Sequence, residues 1–560
     1  MSNAIESALP GDFGHVLLAQ LAPENFASPR EAAALRLMRE HQYWDAAQEF
    51  DALSAGPNAP AWIWLLAGYC YVAADTADAA GEALYFLQIA AHRDAGNGWV
   101  QYCLGLAWHK AGDKTAARVA FAEARRLLPA LPAAAVYEAI TLFELDQYPA
   151  ALALLEAVLQ DYPDDPDILN QTGLVLLRGF GQAQQALPLF RRAALRPGRT
   201  RRAAHINQAL ALRCLGQYAE AITLYDKLVS EEDEPYLRWQ RGLALLSAHV
   251  FARAWDDYGH RWCLPGVRTH AFRFRPWMPP AADSETIAVL SEQGLGDQIM
   301  FSTCVPDLIR SVAPNQCHVV IECNPKLQKL FARSFASAQV VARETNGNNA
   351  LIGHLSTRPC RQIFMGDLPG LYRRKTADFP TAAVLKSDPK RTAYWRARLD
   401  KLGGGAKIGI SWRGGLAGTN AALRSVDLAI LSPLFRLPGC RFVSLQYGEC
   451  EPELAYAKAH GIELAHWNDA IENYDETAAL VDSLDYVVSV CTSLVHLAGA
   501  LGQATAVLVP AVPEWAFGGA SDTMPWYPSV RLFRQTTLED WSVPVEQIAA
   551  TILRAAATPQ

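Results

Sequence analysis

The hydrophobic pattern of this 560-residue chain changes its period about halfway along. Over roughly the first 260 residues, apolar positions recur three and four residues apart, which is typical of helices with one buried face. The pattern itself returns about every 34 residues. Each unit opens with a small residue, followed about twelve positions later by an alanine and, one helical turn after that, by a large residue. The first half is therefore predicted to be an array of paired antiparallel helices.

Three positions define this repeat, and prolines close several of its units. The small residues are Ala34, Gly68, Gly105, Ala139, Gly173, Ala209 and Gly242. The alanines are Ala46, Ala80, Ala117, Ala151, Ala186, Ala221 and Ala254. The large residues are Phe50, Leu84, Phe121, Leu155, Phe190, Tyr225 and Tyr258. The pattern resembles the tetratricopeptide repeat (TPR), in about seven copies over residues 29–262 after an N-terminal segment, 1–28. It predicts an all-α superhelix whose concave surface holds an extended peptide or a partner protein.

The second half alternates short β-branched or apolar runs with helical patterns. The strand runs are TIAVLS, CHVVIEC, AQVVA, KIGISW, RFVSLQY, YVVSV and TAVLVP. Strands that alternate with helices predict parallel sheets covered by helices on both faces. We therefore expect a linker at 263–283, an N-terminal lobe at 284–395 and a C-terminal lobe at 396–560. The whole chain is thus predicted to be multidomain, with the α/β part forming two Rossmann-like lobes around a cleft.

Composition and charge narrow the possible functions. The net charge of −7 gives no electrostatic footprint for nucleic acid. The first residues lack the basic flank and apolar core of a signal peptide, and the longest apolar stretch, AWIWLLAGYCYVAA, is too short to span a bilayer. The 11 cysteines are scattered, without a C-x-x-C pair or zinc-ligand spacing. We expect a cytoplasmic chain with no nucleic-acid partner, no membrane span and no metal site.

The segment EQGLGDQIMFS, residues 292–302, carries the first candidate chemistry. Gly294 and Gly296 flank a leucine, and Asp297 stands where a helical pattern begins. No third glycine arrives in register for the dinucleotide fingerprint G-x-G-x-x-G. One interpretation is a tight turn whose aspartate caps a helix. The other is a catalytic base, whose pKa the helix N-terminus lowers so that the carboxylate stays ionised.

Several segments in order resemble one enzyme family. EQGLGDQIMFSTCVPDL, KIGISWRGG with LRSVDLAIL, FVSLQYG, DETAALVDSLDYVVSV and TSLVHLAGALG resemble the heptosyltransferase-like GT-B glycosyltransferases over roughly residues 284–545. Chains that pair TPRs with such a module resemble the bacterial flagellin glycosyltransferases that transfer nonulosonic acids. In architecture they also resemble the O-GlcNAc transferases, whose catalytic module differs in sequence. The resemblance implies transfer from a nucleotide sugar, with no further cofactor.

The resemblance also implies roles for individual residues. Glycosyl transfer needs a base that takes the proton of the acceptor hydroxyl, and the family's Gly-Asp turn maps this base onto Asp297. Thr492 and Ser493 follow the strand run YVVSV at a helix N-terminus, where they bind phosphate or merely cap the helix. His496 lies one turn further along, as a donor ligand or as a buried core residue. The remaining donor-side residues are Gly294, Gly296, Ser411, Arg413, Arg424, Gln446 and Tyr447.

Several of these donor-side residues suit a particular part of a nucleotide sugar. Arg413 and Arg424 offer planar guanidinium groups that match phosphate oxygens. Gln446 and Tyr447 end a strand run where the nucleoside base or ribose is expected. Many heptosyltransferases carry an acidic residue where Cys491 stands. Its absence is consistent with a CMP-linked sugar, which has a single phosphate.

The sequence leaves alternatives open for the roles of three aromatic residues and for the function of the chain. Trp515, Trp526 and Tyr527 are assigned to packing, with sugar stacking as the alternative. The leading function is transfer of a nonulosonic acid from a CMP donor to Ser or Thr of a protein, flagellin, recruited by the TPR array. One alternative is a GT-B transferase that uses a UDP- or ADP-sugar on another protein, lipid or glycan. The other is a non-catalytic TPR interaction scaffold.

Overall fold

The computed structural model describes residues 17, 28–56, 59–74, 76, 79–264, 267, 274–343, 360–414, 424–519, 521–536 and 540–557. Almost all of the predicted N-terminal segment and part of the predicted linker lie outside the described residues. The chain divides into two compact units, Met1–Leu212 and Arg213–Gln560. The last helices of the predicted repeat array therefore belong to the same unit as the α/β lobes.

The first unit is helical throughout its described part. Its helices are α1 (Pro29–Arg39), α2 (Tyr43–Ser54), α3 (Ala61–Ala73), α4 (Ala79–Arg93), α5 (Gly98–Lys110), α6 (Lys114–Leu127), α7 (Pro132–Glu144), α8 (Tyr148–Asp161), α9 (Pro166–Leu174), a π-helical turn (Val175–Gly179), α10 (Ala183–Leu195) and α11 (Thr200–Cys214), which continues into the second unit. The predicted array of paired helices is confirmed.

The small and large positions of the repeat meet as predicted. A Cβ placed on Gly105 in α5 would lie 2.5 Å from ring carbons of Phe121 in α6. The same test at Gly173 in α9 places the added atom 2.7 Å from the ring of Phe190 in α10. Real Cβ atoms do not approach so closely, so glycine is needed where each aromatic ring packs against the preceding helix.

The second repeat departs from the predicted register. Ala80 and Leu84 are only half-buried, whereas Ala83 and Leu87 are fully buried. A Cβ on Gly68 would collide with the Leu87 side chain. The connection before α4 is two residues longer than the one before α6, and Ala83 lies one position further into its helix than Ala117 does, so the alanine and the large residue are each displaced by three positions.

The second unit begins with the remaining repeat helices and continues into the α/β lobes. Its helices are α12 (Tyr218–Glu231), α13 (Pro235–Ser247), α14 (Phe251–Tyr258), α15 (Leu295–Ser302), α16 (Val305–Val312), α17 (Gln328–Ser334), α18 (Leu368–Tyr372), α19 (Pro389–Asp400), α20 (Ser432–Phe435), α21 (Glu451–Ala459), α22 (Asn468–Ile471), α23 (Tyr474–Val481), α24 (Ser493–Ala500) and α25 (Ser542–Ala557). Short 3₁₀ turns include Gly259–Cys263, Met365–Asp367 and Trp515–Phe517.

Twelve strands form two sheets in the described residues of this unit. The strands are β1 (Arg275–Pro276), β2 (Thr286–Leu290), β3 (His318–Cys323), β4 (Gln339–Ala342), β5 (Cys360–Phe364), β6 (Ala406–Ser411), β7 (Cys440–Ser444), β8 (Leu464–His466), β9 (Tyr486–Val490), β10 (Thr505–Val509), β11 (Thr523–Met524) and β12 (Tyr527–Arg534). The sheet orders are β1-β5-β2-β3-β4 and β11-β12-β10-β9-β6-β7-β8. All neighbours are parallel except β11 and β12. The prediction of two Rossmann-like lobes is confirmed.

One apolar core runs through the second unit from the last repeat helices into both lobes. It includes Trp255 of α14, Phe301 of α15 and Leu497 of α24. Helix α19 crosses the predicted lobe boundary at 395/396, and its Trp395 indole N–H donates to Glu476 of α23 at 2.8 Å. Among the described helices, none combines the length and apolar character needed to cross a membrane.

Gly105→Ala tests whether the close approach of α5 and α6 stabilises the array. The added methyl group displaces the Phe121 ring, so we expect the free energy of unfolding to fall by about 1–3 kcal/mol. Gly81→Ala in α4 is the matched control, because nothing lies within 4 Å of its added Cβ. Alanine favours helix there, so this variant should keep or slightly raise stability. Urea unfolding followed by far-ultraviolet circular dichroism compares them, and equal destabilisation by both changes would contradict the packing account.

Candidate active site

Asp297 lies in the first turn of α15, directly after the loop that leaves β2. Its Oδ2 accepts a hydrogen bond from the Gly294 backbone N–H at 3.0 Å. The capping interpretation is therefore realised in the structure. The residue as a whole is partly exposed.

Two opposing effects act on this carboxyl group. Burial raises the pKa of Asp297, against the opposing effect of the Gly294 N–H bond; together with the nearby charges of Glu514 and Glu292, the net result is a pKa of about 6. The expectation that the helix N-terminus lowers the pKa is thus wrong in sign, because the loss of hydration outweighs the helix field. A carboxyl group of this kind is still largely ionised at pH 7 and is more basic than an exposed aspartate.

The loop before Asp297 is held by hydrogen bonds to the neighbouring strand β3 and the residues that follow it. The backbone N–H and the hydroxyl of Ser291 donate to Glu322 of β3 at 3.1 and 2.7 Å. Gln298 accepts from the Asn324 backbone N–H at 2.8 Å. These bonds join the carboxyl ends of β2 and β3, the edge at which parallel α/β sheets place their ligands.

The second lobe contributes the N-terminus of α24. Thr492 is the N-cap: its Oγ1 accepts from the Leu494 N–H at 3.3 Å and lies 3.3 Å from the Ser489 hydroxyl. Thr492 is buried, whereas Ser493 is partly exposed. A Cβ on Gly414 would collide with the Thr492 methyl group, so the loop after β6 packs directly on this cap. Of the two predicted hydroxyls, Ser493 is the more accessible.

The two helix N-termini meet at Gly296. A Cβ placed there would lie 3.0 Å from His496 Cδ2 and 3.2 Å from Ser493 Cα. A side chain at position 296 would be tighter than an ordinary contact and would require α15 or α24 to shift by a few tenths of an ångström. The turn that carries Asp297 therefore lies against the first turn of α24.

His496 is enclosed at this helix contact. Its Nδ1 lies 3.3 Å from the Tyr527 hydroxyl, and its ring packs near Phe517. Burial lowers the pKa of His496 to about 4, so the imidazole is neutral at pH 7. These contacts favour the buried-core interpretation over a cationic phosphate ligand.

Gln446 differs from its expected role. Its Oε1 accepts from the Ser411 hydroxyl and from the backbone N–H groups of Trp412 and Arg413, at 3.0–3.1 Å. Its Nε2 donates to the carbonyls of Arg413 and Tyr447 at 2.9 and 3.0 Å. The buried amide therefore shapes the 411–413 loop and is not free to contact a base or ribose. Ser411, whose hydroxyl makes one of these hydrogen bonds, is buried, while the Tyr447 side chain is exposed.

Both predicted arginines have partners within the second lobe. Arg413 pairs with Glu453 at 3.0 Å and also donates to the Glu449 carbonyl. Arg424 pairs with Glu514 at 2.9 Å and lies 3.5 Å from the carbonyl of Cys491, the residue before the α24 cap. Arg424 is therefore the predicted cation that lies beside the N-terminus of α24.

The aromatic residues and the cysteine have packing roles. Trp526 and Tyr527 are buried, and Trp526 contacts Phe301, Phe379 and half-buried Trp515 at ring centroid distances of 4.9–6.4 Å. Cys491 is buried, and burial raises the pKa of its thiol, so it is unsuited to act as a nucleophile. Within the described residues, no group of three or more His, Cys, Asp or Glu side chains could hold a metal ion.

Three charged residues near the site were not predicted from the sequence as site residues. Glu514 neutralises Arg424, Glu292 lies five residues before Asp297, and Arg261 binds Glu292 from the end of the repeat helices. Glu292 stands in the quoted motif, but its partner is 31 residues upstream, in a segment assigned to the TPR pattern. A single sequence gave no signal for that pairing.

No protein-family model matches the chain. The chain is similar to Protein FlbA of Caulobacter vibrioides (strain ATCC 19089 / CIP 103742 / CB 15), with 29% identity over 442 residues, 74% of this chain and 71% of the relative. Among solved structures, it is similar to the E. coli ADP-heptose lps heptosyltransferase II, with 15% identity over 49% of this chain and 100% of that chain, at a TM-score of 0.37. It is also similar to the APC/C hetero-tetramer Cut9-Hcn1, with 18% identity over 48% of this chain and 52% of that chain, at a TM-score of 0.39.

The fold defines a class of protein. A helical-repeat region of the TPR kind precedes an α/β module of the GT-B kind, with two parallel sheets. The resemblance found in the sequence is thus matched by the architecture.

Asp297→Asn tests the account of the buried carboxyl group. Because the folded-state pKa lies above the ordinary value of 3.8, ionisation favours the unfolded state. The stability that the protonated group contributes is fully present below pH 3.8, and it is lost as the pH rises through the folded-state pKa of about 6. Asparagine still accepts the Gly294 bond and carries no charge. We therefore expect the difference in thermal stability between Asp297→Asn and the wild type to favour the variant more at about pH 7.5 than at about pH 4.5.

The matched control for this change is Asp378→Asn, because Asp378 accepts the Lys375 N–H at 3.0 Å in the same capping geometry. It subtracts the general effect of replacing a capping carboxylate. Thermal unfolding midpoints of both variants at the two pH values give the comparison. A relative stability of Asp297→Asn that does not rise with pH would contradict the raised pKa.

Proposed function

We propose that the chain is a nucleotide-sugar-dependent glycosyltransferase in which Asp297 is the general base. The observation that carries the proposal is the contact of α15 with α24 at Gly296, which brings a basic carboxylate and a helix N-terminus together from two lobes. Helix N-termini bind phosphate through free N–H groups and the helix dipole. A general base is needed at the acceptor and an anion site at the leaving group, so the two features fit the two ends of one displacement.

In the proposed reaction, the acceptor hydroxyl oxygen attacks the anomeric carbon of the sugar. The bond from that carbon to the donor phosphate breaks, and the phosphate leaves with the electron pair. The hydroxyl proton passes to the Asp297 carboxylate, which contributes about 10²–10⁴-fold to the rate. Ser493, the first N–H groups of α24 and Arg424 stabilise the leaving phosphate. A single displacement with one base inverts the anomeric configuration and calls for no metal ion.

The acceptor is proposed to be a protein. The repeat helices precede the α/β lobes in the same chain, and TPR-like arrays commonly hold extended peptides. Tethering would make contact at the catalytic site intramolecular, with an effective concentration of around millimolar. The more specific form of the proposal is transfer of a nonulosonic acid from a CMP donor to Ser or Thr of flagellin. It rests on the sequence resemblance and on Cys491, which stands where many heptosyltransferases carry an acidic residue.

The test uses the full chain, flagellin and a CMP-linked nonulosonic acid, with UDP- and ADP-sugars as competing donors. Intact-protein mass spectrometry should show one added sugar mass per modified site. Asp297→Asn should lower the transfer rate by about 10²–10⁴-fold and leave nucleotide affinity largely unchanged. The rate of the wild type should also fall about tenfold per pH unit below a pKa of about 6. Asp378→Asn should retain wild-type transfer.

The outcomes separate the possibilities. Transfer from UDP or ADP donors alone would replace the CMP assignment and keep the class of enzyme. Transfer to another acceptor but not to flagellin would remove flagellin. Unchanged turnover in Asp297→Asn would remove this carboxylate from the mechanism, and nucleotide binding without transfer to any acceptor would favour a scaffold.

A further inference from the structure

Arg261 lies in the 3₁₀ turn Gly259–Cys263, immediately after the last repeat helix α14. Its side chain is 8% exposed. The guanidinium Nε and Nη2 donate to the two oxygens of Glu292 at 3.0 and 2.7 Å. Nη2 also donates to Asp367 at 2.6 Å. Two carboxylates and one arginine thus form an enclosed ionic cluster, in which bidentate geometry fixes the Glu292 side chain.

The guanidinium group is held on its flat faces as well. It lies 4.5 Å from the ring centre of Tyr258 and 4.6 Å from that of Trp262. Cation–π contacts of this kind hold the plane of an arginine in one orientation. Arg261 is therefore rigid, and it comes from the helical repeat side of the unit.

Glu292 transmits this constraint to the candidate active site. It is the second residue after β2 and accepts the Gly366 N–H at 2.7 Å as well as the Arg261 bonds. A Cβ on Gly366 would collide with the Glu292 carboxylate, so glycine is needed for this contact. Glu292 also accepts from Gln293 at 3.1 Å.

Gln293 is the next link toward Asp297. Its backbone has a φ of 58°, a left-handed conformation that is costly for a residue with a side chain. The same side-chain Nε2 donates to the Tyr258 hydroxyl at 2.8 Å. The final residues of the repeat helices therefore hold the loop conformation that leads into Gly294 and Asp297.

We infer that Arg261 is a positioning residue: through Glu292, it holds the loop 292–297 so that Asp297 meets the acceptor hydroxyl. This inference rests on the proposed function of Asp297. It further implies that the segment that follows α14 is part of the catalytic unit, so changes that break the Arg261–Glu292 pair alter turnover.

Arg241 of α13 provides a matched control. It forms a bidentate pair with Asp257 at 2.6 and 2.9 Å and is 13% exposed, and within the described residues its hydrogen bonds and ion pairs go to Asp226 and Asp257 rather than to residues 292–297. Replacing either arginine with methionine breaks a comparable buried ion pair in the same part of the unit. Arg261→Lys keeps the charge and loses the bidentate geometry, so it serves as the conservative variant.

The experiment measures transfer kinetics, nucleotide affinity by calorimetry and hydrogen exchange of backbone amides in full-length protein. Arg261→Met should lower kcat by about 10²-fold with nucleotide affinity retained, because the base is misplaced while α24 is untouched. Hydrogen exchange over residues 291–298 should rise. Arg261→Lys should recover part of both effects, and Arg241→Met should change neither kcat nor exchange in that segment.

Two results would overturn the inference. One is an equal loss of kcat in Arg241→Met and Arg261→Met, which would indicate a general loss of stability. The other is unchanged exchange over residues 291–298 in Arg261→Met. If wild-type protein shows no transfer to any acceptor, the proposed function fails, while the exchange data still decide whether Arg261 holds the loop.

Discussion

The close approach of α15 and α24 is the contact on which the account depends. Each helix begins directly after a loop from a different lobe, and the absence of a side chain at position 296 lets Ser493 and His496 lie close to α15. The contact places the turn that carries Asp297, whose pKa burial raises, beside a helix N-terminus. Without it, Asp297 would be an ordinary capping residue and Thr492 an ordinary N-cap.

The charge state of Asp297 at this contact depends on competing effects, and their balance cannot be judged from the amino-acid composition. The helix N-terminus and the Gly294 N–H favour a charged Asp297, while burial and two neighbouring glutamates oppose it. On the other side, Arg424 is already paired with Glu514. A donor phosphate that binds at α24 would compete for Arg424 and leave Glu514 as an unpaired negative charge. Donor binding is then expected to make Asp297 a stronger base.

Most of the architecture could be predicted because the period and spacing of apolar residues along the chain follow directly from which residues are buried. All seven strand runs read from the sequence form strands, and six of the seven repeat units hold their predicted alanine and large residue in the core. Five strands were missed: β1, β8 and β11 are only two or three residues long, while the sequences of β5 and β12, CRQIF and YPSVRLFR, mix charged residues with apolar ones. The site was predicted less fully. Gln446 was expected at the ligand but binds the 411–413 loop, and the Arg261–Glu292 pair joins segments that no local pattern relates.

The most direct test of the central claim is a crystal structure of the full chain with a bound nucleotide donor analogue. The account predicts the donor phosphate within hydrogen-bond distance of Ser493 and the first N–H groups of α24. It also predicts the free edge of the Asp297 carboxylate directed at the anomeric carbon side of the ligand. A nucleotide bound elsewhere in the second unit, with Asp297 remote from its sugar, would contradict it.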